Sequence, residues 1–331
     1  MQPDLLSTPF PQPQDHKFTF IDLFAGVGGF RMALQNLHGR CEFSSEWNKH
    51  AQRTYALNYG EHPDGDITQD ETKAKIPEKF DILCGGFPCQ AFSIAGHRKG
   101  FQETRGTLFF DVAEIARKHR PKAVFLENVK NLISHDEGNT FQVICNTLEE
   151  LGYTVSYKVL NSMTHANVPQ NRERIFIVAL DPKQVPNYQD FEFPEEIPLT
   201  RGIQDILEKG RVDQKYYYAP GHRYYAKMAE GVTSKDTVYQ WRRVYVRENK
   251  SSVCPTLTAN MGSGGHNVPL ILDDYGIRKL TPKECFAFQG YPVHEMRFPK
   301  KMGNCALYMQ AGNSVTMPLI QRIGEQILKL F

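Results

Sequence analysis

Short apolar runs rich in β-formers alternate with amphipathic stretches through the first half of the chain. The runs are FTFIDLF (18–24), CEFSS (41–45), FDILC (80–84), AVFLENV (123–129), YTVSYKVL (153–160) and RIFIVAL (174–180). Helical candidates lie between them, near 28–37, 48–58, 107–119 and 139–151. This alternation predicts an α/β fold with a doubly wound, mostly parallel sheet. Ligands of such sheets bind outside the carboxyl ends of the strands.

The alternation ends near residue 181, where the composition changes. Prolines at 182, 186, 194 and 198 interrupt a polar stretch, and YYYAPGHRYY, YQWRRVYVRENKS and NMGSGGH follow. This change predicts a second, smaller and irregular domain. A helical pattern returns at TPKECFAFQG, where Thr281 can cap a helix, Pro282 takes its first turn and Glu284 closes a capping box. After Ser314, the apolar residues Ile320, Ile323, Ile327 and Leu330 predict a last helix that packs on the fold.

Charge and termini narrow the class of protein only slightly. The chain has 39 Lys and Arg against 37 Asp and Glu, a net charge of +2 that does not by itself indicate a polyanionic partner. Residues 1–16 contain four prolines and no long apolar core, which predicts a disordered lead-in rather than a signal peptide. No later apolar run approaches the roughly 20 residues needed to span a bilayer. We therefore expect a soluble, cytoplasmic protein without membrane contact.

The seven cysteines are scattered and form no CxxC pairs, which argues against a disulfide framework and a zinc site and favours a reducing cytosol. We expect no bound metal. One cysteine stands apart, because GGFPCQAFS puts Cys89 directly after Pro88, between a predicted strand and a loop. Proline fixes the backbone before the thiol, which would aim the loop. Cys41, Cys84, Cys145 and Cys285 lie within predicted elements and are expected in the core.

A glycine loop follows the first predicted strand, at FAGVGG. Gly26 and Gly28 begin a GxGxxG-like pattern, and Glu46 lies 20 residues beyond Gly26, as in folds that bind dinucleotides. However, Arg31 replaces the third glycine, and Asp22 precedes the loop. A carboxylate there would repel a pyrophosphate and suit a cationic ligand such as S-adenosylmethionine. The loop therefore favours a methyl donor over NAD.

Two side chains beyond the loop have both a structural and a functional interpretation. Trp47 follows Glu46, and its indole could stack on adenine or lie in the core. Asp66, in GDIT, could accept from an exocyclic amine or cap a turn.

Eight motifs, in this order, resemble those of the DNA (cytosine-5)-methyltransferases: FIDLFAGVGGFR, SSEWN, GDIT, GGFPCQAFS, ENV, QNRER, RKLTPKECFAFQGYP and QAGNSV. The likeness covers nearly all of 18–180 and 278–317. It implies an S-adenosylmethionine-dependent methyltransferase domain over 17–186 plus 305–331, and an inserted target-recognition domain over 187–304.

The resemblance also implies a reaction on a cytosine extruded from double-stranded DNA. Cys89 would attack C6 of the base, since a thiolate added across the 5,6 bond makes C5 nucleophilic. Glu127 would hold N3 and the 4-amino group. Arg174 would contact the base O2, and Arg172 would steady Glu127 or a phosphate.

Further roles follow from the resemblance, residue by residue. The methyl donor, S-adenosylmethionine, would contact the glycine loop and several later positions: Phe24, Gly26, Gly28, Glu46, Trp47, Asp66, Ile67, Pro88, Asn313 and Ser314. The last two could equally cap the final helix. DNA would contact the loop after Cys89 and the basic, aromatic part of the second domain: Gln90, Ser93, Arg98, Arg242, Arg243, Arg247, Thr256 and Gly264.

The sequence leaves two alternatives open. An RNA (tRNA) cytosine-5 methyltransferase shares the fold and the PCQ loop, although the CFT motif typical of that branch is absent from the sequence. A nicotinamide oxidoreductase would depend only on the glycine loop and Glu46. The leading hypothesis is a monomeric, sequence-specific DNA methyltransferase, paired with a separately acting restriction endonuclease.

Overall fold

The computed structural model describes residues 8–88, 108–242, 244–249, 251–263 and 267–331. The chain forms two compact units. The first unit comprises Met1–Leu160, Glu173–Glu195 and Met317–Phe331, and the second comprises Asn161–Arg172 and Glu196–Thr316. The second unit overlaps the predicted target-recognition domain from residue 196 to 304 and also holds 161–172 and 305–316, which we had predicted to lie in the catalytic domain. The functional boundaries stay a prediction.

Strands and helices alternate along the described part of the first unit, as predicted. The strands described over both units are β1 (Phe18–Leu23), β2 (Gly39–Ser45), β3 (Ile82–Gly86), β4 (Ala123–Val129), β5 (Thr154–Asn161), β6 (Gln170–Asn171), β7 (Glu173–Leu180), β8 (Tyr239–Arg242), β9 (Tyr245–Glu248), β10 (Cys254–Pro255), β11 (Leu270–Asp273) and β12 (Gly276–Lys279). The α-helices are α1 (Gly29–Gln35), α2 (Lys49–Tyr59), α3 (Asp70–Lys73), α4 (Leu108–His119), α5 (Asn139–Glu150), α6 (Ser162–His165), α7 (Tyr225–Gly231), α8 (Pro282–Ala287), α9 (Asn304–Asn313) and α10 (Met317–Leu328). Short 3-10 segments lie at Lys130–Gly138, Tyr188–Asp190, Ile203–Asp205 and Gln214–Tyr216.

The described strands of the first unit form a six-stranded sheet in the order β2-β1-β3-β4-β7-β5. β1 runs parallel to β2 and β3, β3 runs parallel to β4, and β7 is antiparallel to β4. Its central strands are buried on both faces, which explains their continuous apolar runs. The predicted mostly parallel, doubly wound sheet is confirmed. Among the described residues, no helix has the length and apolar character required to cross a membrane.

The N-terminal segment corrects the sequence prediction. The side chain of Gln12 donates to the carbonyl of Cys41 at 2.8 Å and accepts from its amide at 3.1 Å, on the edge strand β2. The amide of Phe10 donates to the carbonyl of Asn58 at 3.1 Å. The prediction of a disordered lead-in is therefore wrong from residue 8 onward, because Gln12 bonds to an edge strand and Phe10 bonds to α2, and composition does not reveal these partners. Residues 1–7 lie outside the described part.

The last helix packs on the first one, as its apolar stripe predicts. Ile320, Ile323 and Ile327 of α10 are fully buried. Gly324 faces α1 so closely that an added Cβ would lie 3.2 Å from Leu34 and 3.0 Å from Leu37. The C-terminal helix thereby completes the core of the first unit.

The second unit contains a four-stranded antiparallel sheet in the order β12-β11-β8-β9, and β10 pairs with β6. Its apolar core includes Met228, Tyr239 and Trp241. The predicted capping box is confirmed: the Thr281 hydroxyl accepts from the Glu284 amide at 3.1 Å, and the Glu284 carboxylate accepts from the Thr281 amide at 2.8 Å. The Arg278 guanidinium pairs with the same carboxylate at 2.7 Å, which fixes α8 against β12.

Candidate active site

A partly buried ion pair of the first unit lies at the end of β4. Glu127 lies opposite Gly86 of β3 and Phe176 of β7 in the strand register. Its carboxylate pairs with the Nε of Arg174 at 3.1 Å, and the side chains are only 11% and 15% exposed. Because partial burial reduces solvent screening, this ion pair can hold both groups in place. Two of the predicted catalytic residues are thus in contact.

A third polar residue joins this strand end to the backbone just before the predicted nucleophile. The buried side-chain amide of Asn128 donates to the carbonyl of Phe87 at 2.8 Å. Phe87 precedes Pro88, which is exposed. Asn128 is not among the site residues that the sequence predicts, although a polar residue within a buried run indicates that its side chain needs a partner. Cys89 and the predicted DNA contacts Gln90, Ser93 and Arg98 lie outside the described residues.

Most of the other cysteines are buried, which argues against a role as nucleophile. Of the six that the structure describes, Cys41, Cys84, Cys145, Cys254 and Cys285 are buried and Cys305 is exposed. Burial raises the pKa of the Cys41 thiol to about 12 and that of Cys145 to about 11. It also raises the pKa of the other three buried thiols. The predicted core positions of Cys41, Cys84, Cys145 and Cys285 are confirmed.

The glycine loop is a compact left-handed turn between β1 and α1. Phe24, Gly26 and Gly28 all have positive φ, at 56°, 56° and 86°. The Tyr59 hydroxyl donates to the Gly28 carbonyl at 2.7 Å, and an added Cβ on Gly28 would lie 2.4 Å from the Tyr59 ring. Position 28 therefore requires glycine for two reasons: its backbone is left-handed, and the Tyr59 ring leaves no space for a Cβ. The strained Phe24 is typical of a functional loop.

Glu46 and Trp47 lie beside this loop. The Glu46 carboxylate accepts from the Gly26 amide at 2.8 Å and from the Asn48 amide at 2.7 Å. Burial raises the pKa of Glu46. Trp47 is 72% exposed, so the interpretation of this indole as a core residue is wrong. An exposed indole next to a carboxylate and a glycine turn suits an adenosyl group, which the indole can stack on and the carboxylate can accept from.

The environment of Asp22 differs from the ligand-facing position that the sequence predicts. Its side chain is 1% exposed and accepts from the Arg31 amide at 3.3 Å. Burial raises the pKa of Asp22 to about 8, so the carboxyl holds its proton through most of the neutral range. The prediction of a methyl donor stands, but Asp22 supports the start of α1 rather than presenting a charge to a ligand.

Arg31 explains why the loop departs from the dinucleotide pattern. Its guanidinium is fully buried, donates to the Tyr55 hydroxyl at 2.8 Å and pairs with Glu61 at 2.8 Å. It also lies over the Tyr59 ring, 4.5 Å from its centroid. The third glycine of a dinucleotide loop allows close packing of helix and strand. Here a large side chain between α1 and α2 fills that position.

Two further predicted donor contacts in the first unit have structural partners. The Asp66 carboxylate accepts from the Thr68 amide at 3.0 Å, which confirms the turn interpretation. The Ile67 side chain lies in the main core and is 3% exposed. Their roles at the donor stay predictions.

The second unit holds the remaining predicted donor residues, together with Arg172. Asn313 is exposed at the end of α9, and Ser314 is the C-cap of that helix. The alternative that these two cap the last helix is wrong, since α10 begins at Met317. Arg172 donates to the carbonyls of Leu257 at 3.0 Å, Gly312 at 3.3 Å and Ser314 at 2.7 Å. Its predicted contact with Glu127 or a phosphate stays a prediction.

Two of the predicted DNA contacts, Arg242 and Arg247, lie on the β8–β9 hairpin. Arg242 lies opposite Tyr245, and Gln240 lies opposite Arg247, so these four side chains share one face. The two arginines and Tyr245 are exposed, whereas Tyr239 and Trp241 on the other face are buried. Thr256 donates its hydroxyl to the Asn171 carbonyl at 2.7 Å. Arg243 and Gly264 lie outside the described residues.

Comparisons with known proteins agree with these features. Residues 18–329 match the family model of the C-5 cytosine-specific DNA methylases. The chain is 47% identical to Type II methyltransferase M.Bsp6I of Bacillus sp. (strain RFL6), over 93% of this chain and 97% of that protein. It is 45% identical to Type II methyltransferase M.HpaII of Haemophilus parainfluenzae, over 95% of this chain and 90% of that one.

Solved structures agree on the fold. The crystal structure of S. pombe Dnmt2 methyltransferase matches with a TM-score of 0.69, at 17% identity, over 94% of this chain and 98% of that one. The family match covers almost the whole chain, and the two relatives share nearly half of its residues. The chain therefore belongs to the C-5 cytosine-specific DNA methylases, enzymes that transfer a methyl group from S-adenosylmethionine to C5 of cytosine in DNA.

Proposed function

We propose that this methyltransferase modifies one cytosine within a specific sequence of double-stranded DNA, with Cys89 as its nucleophile. The observation that carries the proposal is the register of β3 and β4. Glu127, held by Arg174, lies opposite Gly86, and Cys89 follows Gly86 by three residues. Short chain distance limits how far the thiol can lie from the ion pair, since each residue spans at most about 3.6 Å.

The role of the Cys89 thiol is to make C5 of cytosine nucleophilic. C5 of cytosine is a poor nucleophile, but addition of the Cys89 thiolate to C6 makes C5 enamine-like. S-adenosylmethionine, when bound, supplies the methyl group that C5 takes. Loss of the C5 proton then allows the C6–S bond to break, and the bonding electrons return to the thiolate. Asn128 holds the backbone before the thiol, which reduces the entropy cost of alignment.

Glu127 and Arg174 act on the ring of the base. Thiolate addition places negative charge on N3 and O2, and groups positioned before the reaction stabilise such charge most effectively. We assign Glu127 to N3 and the 4-amino group, and Arg174 to O2. We assign removal of the C5 proton to a water molecule in the site.

The exposed face of the β8–β9 hairpin supports a role in DNA binding. Arg242 and Arg247 offer charge to phosphates or bidentate donors to guanine, and Tyr245 offers an exposed ring. The target base has to leave the helix to meet a thiol, at a cost of a few kcal/mol. We propose that Gln90, Ser93 and Arg98 also contact DNA, as the family resemblance implies.

The relatives' names support a place in a restriction-modification system. Both M.Bsp6I and M.HpaII are called Type II methyltransferases. We propose that this chain acts as a cytosolic monomer and protects DNA from a separate endonuclease that cuts the same sequence. The identities of 45% and 47% to these proteins favour DNA over the RNA alternative. The nicotinamide alternative is not favoured, because Arg31 fills the position of its third glycine.

Two experiments test the proposal. Bisulfite sequencing of DNA from cells that express the enzyme should show methylation at one cytosine of a single short sequence. Oligonucleotides with 5-fluorocytosine at that position should form a covalent complex that Cys89→Ala abolishes. Cys305→Ala, which removes an exposed thiol of the second unit, is the matched control and should retain the complex. A covalent complex in Cys89→Ala would overturn the nucleophile assignment.

A further inference from the structure

Arg172 connects two segments of the second unit that are far apart in sequence. One guanidinium nitrogen, Nη1, donates to the Leu257 carbonyl at 3.0 Å. The other, Nη2, donates to the carbonyls of Gly312 at 3.3 Å and Ser314 at 2.7 Å. Arg172 is only 2% exposed, so water cannot readily replace these bonds. A planar guanidinium fixes the directions of its donors, and the two segments are therefore held at a set spacing.

A second side chain of the same short stretch holds the Leu257 peptide from its other end. The Gln170 side-chain oxygen accepts from the Leu257 amide at 3.1 Å, and its nitrogen donates to the Phe288 carbonyl at 2.6 Å. Thr256 is fixed as well, because its hydroxyl donates to the Asn171 carbonyl at 2.7 Å. Residues 170–172 therefore bind both the amide and the carbonyl of one peptide segment.

The two segments also touch each other directly. A Cβ added to Gly312 would lie 2.2 Å from the carbonyl carbon of Thr258, so the backbones pack without a side chain between them. Ser314 is itself held within α9, since its hydroxyl donates to the Gln310 carbonyl at 2.8 Å. A shift of residues 312–314 would therefore push on Thr258 and pull on Leu257 through Arg172.

We propose that Arg172 is a positioning residue that couples binding of the methyl donor to recognition of the target sequence. The proposal rests on the proposed function and on the family resemblance, which implies that Asn313 and Ser314 contact the donor and that Thr256 contacts DNA. A donor that orders residues 313–314 fixes the Ser314 carbonyl, and the same guanidinium then fixes Leu257 next to Thr256. Coupling of this kind is reciprocal: DNA tightens donor binding by the same factor as the donor tightens DNA binding.

Hydrogen exchange of the unaltered enzyme gives the first test. S-adenosylhomocysteine alone, without DNA, should slow amide exchange in residues 311–316 and also in residues 256–260. The β11–β12 hairpin, Leu270–Lys279, is the internal control and should not change. Protection of 311–316 without protection of 256–260 overturns the coupling but leaves the donor assignment standing. Protection of neither segment overturns both.

Variants give the second test. We define the coupling factor as the ratio of the dissociation constants of cognate DNA without and with S-adenosylhomocysteine. We expect a factor of about 10 in the unaltered enzyme, within the usual range of such coupling. Arg172→Gln should bring it close to 1, and Arg172→Lys, which keeps the charge but loses the fork, should give an intermediate value.

Arg211→Gln is the matched control, since it removes the same functional group at an exposed position of the same unit. It should keep the coupling factor of the unaltered enzyme. A purely structural role for Arg172 would weaken both ligands and lower the melting temperature without changing the ratio. An unchanged coupling factor in folded Arg172→Lys and Arg172→Gln would therefore overturn the proposal, and exchange in the unaltered enzyme remains decisive if neither variant folds.

Discussion

The side-chain amide of Asn128 donates to the carbonyl of Phe87 at 2.8 Å, so one buried residue joins the strand of Glu127 to the backbone just before Pro88. The same side chain accepts from the Val129 amide at 2.8 Å, which leaves it little freedom to rotate. Asn128 therefore fixes the backbone two residues before Cys89, the proposed nucleophile, and it directly follows Glu127, the proposed acid.

Asn128→Asp should impair catalysis more than donor binding. An oxygen would replace the nitrogen that faces the Phe87 carbonyl, and a lost buried hydrogen bond costs about 1 to 3 kcal/mol. If that cost appears in the transition state, kcat falls roughly 10-fold to 100-fold. Single-turnover methylation measures it, and calorimetry should find the donor dissociation constant within about twofold of the original value. Lys130→Gln, at an exposed position nearby, is the control, and equal turnover in both variants would contradict the anchoring role.

Arg174→Lys should lower kcat although the charge is kept. Lysine cannot reproduce the Nε contact with Glu127 at 3.1 Å together with a donor for the base. We expect a loss of about 100-fold in kcat/KM, typical of removing one donor that stabilises developing charge. Glu173→Gln is the control, because Glu173 is exposed and pairs with Lys130 at 3.0 Å. A similarly large loss of kcat/KM in Glu173→Gln would show that any change in this strand impairs catalysis, and that the loss in Arg174→Lys does not report on the ion pair.

Trp47→Ala should weaken donor binding without changing stability. Stacking of a base on an aromatic ring contributes about 1 to 3 kcal/mol, which corresponds to at least a 5-fold rise in the dissociation constant. Because the indole is 72% exposed, its removal should leave the melting temperature in place. Trp47→Phe should recover part of the affinity. A rise in the DNA dissociation constant alone would argue against the stacking role.

The sheet could be predicted because its signal is local. Runs such as AVFLENV are apolar throughout when a strand is covered on both faces, and the observed β4 spans the same residues, 123–129. The final helix has the same kind of signal, a stripe of apolar residues within one segment. Family motifs then gave candidate roles to residues that local patterns alone left ambiguous.

Contacts between distant segments could not be predicted. Arg172 binds carbonyls 85, 140 and 142 residues away, and no periodicity encodes such partners. The position of Asp22 before the glycine loop predicts a charge beside a ligand, but the burial and raised pKa of its carboxyl depend on how α1 packs over the strand. Gln12 belongs to a proline-rich stretch whose composition predicts disorder, yet the edge of β2 offers it a fixed partner.

Arg242→Gln should reduce DNA affinity and its dependence on salt. A phosphate contact adds about 0.9 to the slope of log K against log salt, so the slope should fall by roughly that amount. If Arg242 instead reads a base, the slope should stay and discrimination between cognate and altered sequences should fall. Fluorescence anisotropy over a salt series distinguishes the two. Lys329→Gln, a matched loss of charge at the C-terminal end of the chain, should leave both quantities unchanged.

Asp22→Asn should stabilise the protein, and more so at higher pH. Burial raises the pKa of Asp22 from 3.8 to about 8, so between these values the folded protein holds a proton that the unfolded chain has lost. The contribution of Asp22 to the free energy of unfolding should therefore fall as pH rises through this window, by at most about 1.4 kcal/mol per pH unit. Asparagine does not titrate and still offers an oxygen to the Arg31 amide. The difference in free energy of unfolding between Asp22→Asn and the unaltered protein should be small near pH 4, increase up to pH 8 and stay constant above it.

Urea unfolding of both proteins at pH 5.5, 7 and 8.5 measures this difference. Asp190→Asn, a change at an exposed carboxyl, is the control. Its free energy of unfolding should differ from that of the unaltered protein by the same amount at all three pH values. A gap between Asp22→Asn and the original protein that stays constant from pH 5.5 to 8.5 would mean that Asp22 is charged in the fold. Its carboxylate would then be stabilised by Arg31, 3.3 Å from the Arg31 amide, and could serve as the ligand-facing charge that the sequence first indicated.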